Sequence, residues 1–323
     1  MRGRRGVMYT LVTIVLLVAL ANIFFTQTRY DGHDRQTAVE ERVRSIDGFI
    51  KGLERDSQRA SYIAGFRAFI AMEQHITSTG EPIADVDAVF KQIFINGTYS
   101  NTSYFIMENS SFNEYLARVQ YEAGQQGIAF NATISNVTLW QSDPWNVQVD
   151  YTLAANVTDN RGTASWIIER RFTGSIPVAD LRDPLFTSRT YGRIQRVIKP
   201  TNVSGFVDDA GNKNDTTELM LHFNNSYYAA AGRGPSMLMR FAGNLSDSEF
   251  GIESLVDADE FAAQSLPVNS TASVVDYRYF SGVKATACGI QNLPSRIKLA
   301  ESDLEVYEVR SGAQQQLTYG ACP

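Results

Sequence analysis

The sequence predicts an α+β protein: an N-terminal transmembrane helix and a helical stalk, followed by an antiparallel β head in two parts. Three observations predict it, namely an uncharged run over residues 7–26, helical periodicity over residues 35–78, and period-two alternation between residues 128 and 176. In chain order we expect a basic segment with the membrane helix (1–33), a helical stalk region (34–126), an antiparallel β-meander domain (127–207), a linker (208–218) and a smaller β-rich subdomain with a disulfide (219–323).

The first element is a membrane-embedded helix. Residues 7–26 form a run of 20 residues without a charge, and 20 helical residues rise about 30 Å, the thickness of a bilayer's hydrocarbon core. Three arginines and no acid precede the run, which keeps the N-terminus cytoplasmic and places the C-terminal domain outside the cell. The run is longer than the core of a cleaved secretory signal and closes on bulky Ile23, Phe24 and Phe25. The sequence therefore predicts a single-pass protein with the lipid bilayer as a partner.

Arg5-Gly6-Val7-Met8 joins a basic residue and a glycine directly to the apolar run. This arrangement resembles the class III signal of archaeal type IV pilins, in which a peptidase cuts after the glycine. The resemblance implies processing between Gly6 and Val7, and a mature helix that packs on sister subunits in a cell-surface filament. Many pilins carry glutamate at the fifth mature position, where this chain has Leu11. The alternative is an uncleaved signal anchor.

Residues 35–78 are expected to form a helix that continues beyond the membrane. Its seam positions, apolar except for Ser57, alternate in spacings of four and three, as in a coiled coil: Val39, Val43, Ile46, Ile50, Leu53, Ser57, Ala60 and Ala64. Two alternatives follow, a stalk that packs on sister subunits or a two-helix segment that packs on its own globular domain. Residues 31–34 (DGHD) are the expected break between anchor and stalk.

Beyond residues 35–78 come a further helix and then a change of hydrophobic period. Residues 111–125 predict an amphipathic helix, and residues 128–139, 145–153 and 164–176 predict three strands of an antiparallel meander, with a turn at 159–162. The polar, turn-forming residues 208–215 mark a boundary. Short strands are expected beyond it at residues 237–242, 252–256, 274–280, 297–299 and 304–309.

Asparagine usage indicates the compartment. Eleven of 18 asparagines lie in Asn-X-Ser/Thr sequons, where chance would supply about three. The expected glycosylation sites are Asn96, Asn101, Asn109, Asn131, Asn136, Asn156, Asn202, Asn214, Asn224, Asn244 and Asn269. None lies in the stalk helix, which indicates a bare stem and a sugar-coated, extracellular head.

Cys288 and Cys322 are the only cysteines. Two thiols outside the cell most often pair, so an intrachain disulfide is expected, the alternative being two buried free thiols. A disulfide near the C-terminus also agrees with the pilin resemblance.

The chain shows no pattern for catalysis, cofactor binding or metal binding. The net charge is −6 and no basic block follows the first five residues, which argues against nucleic-acid binding. The three histidines, His33, His75 and His222, lie in no catalytic or metal-binding spacing. The acidic residues 208–215 lack the alternating ligands of a calcium loop. Asp257, Asp259 and Glu260 are interpreted as a helix N-terminus rather than as paired carboxylates for glycoside hydrolysis.

These features together predict a cell-surface structural or interaction glycoprotein, either a pilin-like subunit or a membrane-anchored ectodomain, and not an enzyme. No catalytic, cofactor or metal residues and no cofactors are expected. Two alternatives stay open. A membrane-anchored extracytoplasmic enzyme of the glycan hydrolase class would show an acidic pocket that joins distant carboxylates. A solute-binding receptor would show a cleft between two head subdomains.

Overall fold

A computed structural model describes residues 3–162, 164–203, 205–207, 215–282, 287–290 and 293–309, without the side chains of residues 3–12, 26–36 and 38. It confirms the α+β class, with helices and antiparallel sheet mixed along the chain. The helices are α1 (Gly3–Thr79), α2 (Val86–Asn96), α3 (Phe112–Gln125), α4 (Pro184–Arg189), α5 (Thr217–Asn224), α6 (Met237–Phe241), α7 (Ala258–Ala263) and α8 (Asp276–Ser281). Short 3-10 turns lie at Phe105–Met107 and Glu301–Asp303.

The strands form one three-stranded sheet and three two-stranded pairs. They are β1 (Thr98–Tyr99), β2 (Thr102–Ser103), β3 (Ile128–Asp143), β4 (Asn146–Asp159), β5 (Ser165–Pro177), β6 (Tyr228–Ala230), β7 (Ile252–Ser254), β8 (Ala287–Gly289) and β9 (Lys298–Ala300). The large sheet has the order β3-β4-β5, which confirms the predicted meander. The pairs are β1 with β2, β6 with β7, and β8 with β9, all antiparallel.

The chain divides into two compact units. The first contains residues 1–57, 120–131 and 155–168, and the second contains residues 58–119, 132–154 and 169–323. Long elements such as α1 and β4 contribute residues to both. The domain boundaries expected from the sequence stay predictions.

Helix α1 runs without interruption through residues 31–34, so the predicted break there is wrong. The segment holds no proline, and one glycine costs a helix interior only about 1 kcal/mol, too little to end a long helix. Among the residues whose side chains are described, no helical stretch is both long and apolar enough to cross a membrane.

In the first unit the predicted seam is partly buried. Ile46, Ile50 and Leu53 are buried, whereas Val39 and Val43 are 43% and 37% exposed. Buried side chains from the unit's other segments accompany them: Ala123, Ile128, Phe130, Ala155 and Val157. Phe49 meets Phe130 edge-on, with ring centroids 5.7 Å apart. From Ile46 onward, this part of the helix therefore packs on its own chain.

In the second unit a chain of aromatic contacts joins α1 to the sheet. Phe69 lies 5.0 Å from Phe90, and Phe94 lies 5.3 Å from Phe112, all between ring centroids. Phe112 in turn meets Tyr151 of β4 at 5.0 Å. Such ring pairs add to the free energy of burial. The alternation that predicted β4 is confirmed, because its inward side chains are buried: Val147, Val149, Tyr151 and Leu153.

Two of the predicted C-terminal strands are helices. Residues 237–242 contain α6, whose N-cap Ser236 accepts from the backbone N–H of Met239 at 3.5 Å. Residues 274–280 overlap α8, which is followed by the C-cap Gly282 with φ of 68°. Runs of six or seven residues do not separate strand from helix by periodicity. The Ser236 cap favours α6, and the left-handed Gly282 ends α8. Strands β7 and β9 confirm two other predictions, whereas residues 304–309 form turns.

Candidate functional site

All ten sequon asparagines in the described part of the chain are solvent-exposed. They are Asn96, Asn101, Asn109, Asn131, Asn136, Asn156, Asn202, Asn224, Asn244 and Asn269. Asn214, the eleventh, lies outside the described residues. A side-chain amide must be accessible to carry an oligosaccharide, so the fold permits modification at each of the ten.

Local geometry gives three sequon asparagines a left-handed backbone, in turns at Asn101 and Asn109 and within β3 at Asn136. Asn101, Asn109 and Asn136 have φ of 63°, 56° and 52°, a left-handed conformation that asparagine tolerates better than most residues. At Asn156 the side-chain oxygen accepts from the Thr158 hydroxyl at 3.2 Å, and at Asn269 it accepts from the Thr271 hydroxyl at 2.8 Å. The amide and the hydroxyl of these sequons therefore lie side by side on the surface.

Two sequons line one groove of the first unit. Asn131 of β3 and Asn156 of β4 border a cavity of about 430 Å³ beside α3. Gln120 and Asn160 add further polar groups, and Ile128 and Phe130 add apolar ones. Neither carboxylates nor histidines line it, so this groove offers hydrogen bonding rather than acid–base chemistry.

A second cavity of the first unit, about 510 Å³, surrounds an ion pair. The Arg42 guanidinium lies 2.9 Å from the Asp159 carboxylate and also donates to the carbonyl oxygen of Gly127 at 2.7 Å. Asp159 is 1% exposed and Arg42 is 25% exposed. The pair fixes α1 to the turns that follow α3 and β4. Besides the paired Asp159, the carboxylate that lines this cavity is that of Glu41.

The second unit contains a buried ionic cluster that the sequence did not predict. Arg240 of α6 donates to Asp183 at 2.6 Å and to Asp276 at 3.0 Å, and all three side chains are fully buried. The Tyr228 hydroxyl donates to Asp183 at 2.8 Å, and the Ser254 hydroxyl donates to Asp276 at 2.9 Å. Burial raises the pKa of Asp183, opposed by the charge of Arg240. The cluster joins three helices and one sheet pair.

A weak signal for this cluster existed in the sequence. Arg240 lies in Met237–Phe241 (MLMRF) and Asp276 follows Val274–Val275, so each charge interrupts an apolar run. A charge in a buried run requires a partner of opposite sign. The run itself does not identify that partner, because 57 residues separate Arg240 from Asp183.

The acidic residues considered for glycoside chemistry serve a helix terminus, as predicted. Asp257 caps α7 and accepts from the backbone N–H of Asp259 at 3.0 Å. Both carboxylates face Arg296, at 3.6 and 3.1 Å. Glu260 pairs with Arg196 at 2.6 Å. Each acid therefore faces an arginine, and Asp257 and Asp259 share Arg296.

The two described histidine side chains lie apart. His75 lies near the end of α1, with its Nδ1 atom 3.2 Å from the Tyr104 hydroxyl. His222 is fully buried in α5, and its Nδ1 atom lies 3.1 Å from the Thr201 hydroxyl. Burial lowers the pKa of His222 to about 4, so the ring is neutral at neutral pH. Within the described ranges, no three His, Cys, Asp or Glu residues are grouped to hold a metal ion.

The remaining sequence-predicted residues are only partly described. Cys288 lies buried in β8 and is disulfide-bonded rather than free, whereas Cys322 lies outside the described residues. The bridge between them stays a prediction. Gly6 and Val7 lie in the α1 backbone, and their surroundings are not described. The acidic residues 208–214 also lie outside the described part.

Comparisons with known protein families, with curated proteins and with solved structures found no match to this chain. Its function is therefore inferred from its own residues.

Proposed function

We propose that this chain is a membrane-anchored cell-surface glycoprotein with a structural or interaction role, with its N-terminus in the cytoplasm and its C-terminal domain outside. The observation that carries the proposal is the exposure of all ten described sequon asparagines. An excess of sequons in the sequence would mean little if the fold buried them. Their accessibility on both units is what N-glycosylation of an extracellular domain requires.

The N-terminal helix supports the anchor. Nine large apolar side chains between residues 14 and 25 are each 55–68% exposed: Ile14, Val15, Leu16, Leu17, Val18, Leu20, Ile23, Phe24 and Phe25. A contiguous apolar surface of this kind marks contact with a membrane or a partner. Lipid would cover it in a bilayer, as would the same helix of sister subunits in a filament.

The second candidate, a pilin-like subunit, rests on the same exposed helix together with Arg5-Gly6-Val7-Met8. Processing after Gly6 would remove the three N-terminal arginines and with them the charge that holds that end in the cytoplasm. The mature helix could then leave the bilayer and pack among its copies. An uncleaved chain would stay a single-pass membrane protein.

Glycopeptide mass spectrometry of the native full chain tests the glycoprotein proposal. Peptides that contain Asn131, Asn156 and Asn244 should show forms heavier by an oligosaccharide. Asn113 and Asn160 are exposed asparagines outside sequons, and they serve as internal controls that should stay unmodified. Unmodified asparagine at every sequon in native material would contradict the proposal.

Sequencing of the N-terminus of the native protein separates the two anchor alternatives. A mature chain that begins at Val7 supports the pilin-like subunit, and a chain that retains Met1–Gly6 supports the signal anchor. Gly6→Leu should block the cut, whereas Gly3→Leu, a matched change three residues earlier, should not. Recovery of the protein in the soluble fraction after alkaline washing of membranes, with no filaments present, would contradict both.

A further inference from the structure

Among the buried polar atoms of the second unit that have no hydrogen-bond partner in the described part of the chain, three interact electrostatically with one another. They are the Oε1 atom of Glu253 and the hydroxyl groups of Tyr277 and Tyr307. Glu253 belongs to β7, Tyr277 belongs to α8, and Tyr307 lies in residues 301–309, the C-terminal segment. All three side chains are buried. Buried polar groups in folded proteins almost always have a partner, so three orphans require an explanation.

The three groups interact with one another. The charge of Glu253 raises the pKa of both Tyr277 and Tyr307, after the larger effect of burial. In return, the Tyr307 hydroxyl lies close enough to lower the pKa of the Glu253 carboxyl, although it makes no hydrogen bond of normal geometry. A strand, a helix and the C-terminal segment thus direct unsatisfied oxygens toward a common region.

The charges around Glu253 do not neutralise it. Asp276 and Asp303 face it from α8 and from the 3-10 turn, and both are acidic. Arg240 also faces it but is bound by Asp183 and Asp276. The nearby Arg278 pairs with Asp303 at 2.8 Å. Every described cation near Glu253 therefore already has an acidic partner.

We propose that Glu253, Tyr277 and Tyr307 form a buried proton-binding site, in which the protonated Glu253 carboxyl and one internal water satisfy the two tyrosine hydroxyls and hold the C-terminal segment on β7. One water makes two to four hydrogen bonds, which matches the number of orphaned atoms. The proton comes from solvent and adds to a carboxylate oxygen, so the site changes its charge by one and nothing is oxidised or reduced.

Proton release should loosen the C-terminal segment in particular. Tyr307 and Leu304 anchor it in the core, and both are fully buried. Its described polar ties to the rest of the unit include the ion pair between Arg278 and Asp303 and a contact of 3.5 Å from the Ser273 hydroxyl to Asp303. The backbone N–H of Phe206 donates to Glu308 at 2.8 Å, and Arg233 donates to the carbonyl oxygen of Ser302 at 3.0 Å. An ionised Glu253 would add an unpaired buried charge beside Asp276 and Asp303.

The direction of the pH dependence follows from linkage. Burial is the largest cause that raises the pKa of Glu253, from 4.5 to about 7. The stabilisation is therefore fully present below pH 4.5 and is lost as pH rises through 7. The closed-to-open ratio of the segment should fall by on the order of a hundredfold across this range. His222, which packs 6.1 Å from Tyr307, is neutral above pH 6.5 and does not contribute there.

Hydrogen exchange of the full-length protein in detergent tests the proposal. Peptides that cover residues 301–309 should lose about fourfold in protection between pH 6.5 and 8.5, the part of the loss that falls where His222 no longer titrates, after correction for the intrinsic exchange rate. Glu253→Gln should remove this dependence, and Glu249→Gln, an exposed glutamate nearby, should leave it unchanged. Tyr307→Phe keeps the ring and should raise the pH midpoint at which protection is lost, because the Tyr307 hydroxyl favours the ionised Glu253 carboxyl. This variant also tests the proposal if Glu253→Gln does not fold.

Two outcomes would overturn the proposal. The first is hydrogen-exchange protection of residues 301–309 that does not depend on pH between 6.5 and 8.5 in the wild type, or that still depends on it in Glu253→Gln. The other is protection at pH 8.5 that is restored by sodium chloride but not by choline chloride, since the site would then hold a metal cation in place of a proton.

Discussion

The guanidinium of Arg42 and the carboxylate of Asp159 lie 2.9 Å apart, although 117 positions separate them in the chain. Arg42 also donates to the carbonyl oxygen of Gly127, which has φ of 70° and follows α3. One side chain of α1 thereby holds two turns of the first unit. Asp159 is nearly inaccessible to water, so the ion pair is largely shielded from solvent.

Arg42→Ala should destabilise the first unit by about 1–3 kcal/mol, because it leaves the buried Asp159 carboxylate without its cation. Hydrogen exchange in residues 120–131 should rise accordingly. Lys51→Ala is the matched control on the same helix. Lys51 and Asp47 are 63% and 54% exposed, and such a surface pair contributes at most about 1 kcal/mol. Equal effects of the two changes would contradict this account.

Three glycines of α1 differ in what a methyl group would meet. At Gly48 and Gly52, an added Cβ has no heavy atom within 4 Å. At Gly65 it would clash with the Cδ1 atom of Ile176, a fully buried side chain of β5. The sequence reveals the glycines but not this difference, because only the fold brings β5 against the helix.

We expect Gly48→Ala and Gly52→Ala each to stabilise the protein by about 0.5–1 kcal/mol, the difference in helix propensity. Gly65→Ala should destabilise it, because overpacking costs about 1–3 kcal/mol and exceeds that gain. Urea midpoints of the three variants provide the measurement. A stabilised Gly65→Ala variant would show that α1 and β5 are not closely packed.

Sequence patterns predicted the elements in which a hydrophobic period is sustained over many residues. The alternation through Tyr151 predicted β4, and the spacing through Leu116 predicted α3. Prediction failed for Met237–Phe241 and Asp276–Ser281, where five or six residues give no distinct period. The exposed sequons follow from local polarity. The ionic cluster does not, because it depends on tertiary contacts.

Arg240 should be among the most sensitive positions of the second unit. Arg240→Met would leave the fully buried Asp183 and Asp276 facing each other without a cation, and breaking a buried pair costs about 3–5 kcal/mol. Urea unfolding followed by tryptophan fluorescence measures the loss. Arg296→Met is the control, since Arg296 is 37% exposed and pairs with partly exposed acids. The triple variant with Asp183→Asn and Asp276→Asn should recover part of the loss, and no recovery would mean that shape rather than charge matters.

His222 should limit stability in acid. Burial lowers its pKa from 6.5 to about 4. For a base with a lowered pKa, stability is fully present above pH 6.5 and is lost as pH falls through 4. His222→Phe keeps an aromatic ring against Phe206. At acid pH this variant should lose about 2 kcal/mol less of its free energy of unfolding than the wild type. Unfolding midpoints from pH 3.5 to 7 provide the test, with His75→Phe as the control. Parallel curves for the wild type and His222→Phe would contradict the prediction.

Glu73 should act in the opposite direction, on the alkaline side. Its carboxyl is buried in α1 and accepts from the backbone N–H of Arg182 at 2.9 Å. Burial, opposed by that hydrogen bond, raises its pKa from 4.5 to about 8. Because the folded state binds the proton more tightly than the unfolded state, stability is fully present below pH 4.5 and is lost as pH rises through 8.

The variant Glu73→Gln keeps an oxygen that accepts from Arg182 and removes the titration. Between pH 6 and 9 its free energy of unfolding should fall less steeply than that of the wild type, and at pH 9 it should exceed it by about 2–4 kcal/mol. Glu81→Gln, an exposed position just after α1, should reproduce the wild-type slope. Glu253 contributes to the same pH range, so Glu73→Gln should reduce the slope without abolishing it, and the double variant with Glu253→Gln should abolish most of the rest. If Glu73→Gln and Glu81→Gln have the same slope, then Glu73 is solvated in solution and does not hold a proton at neutral pH.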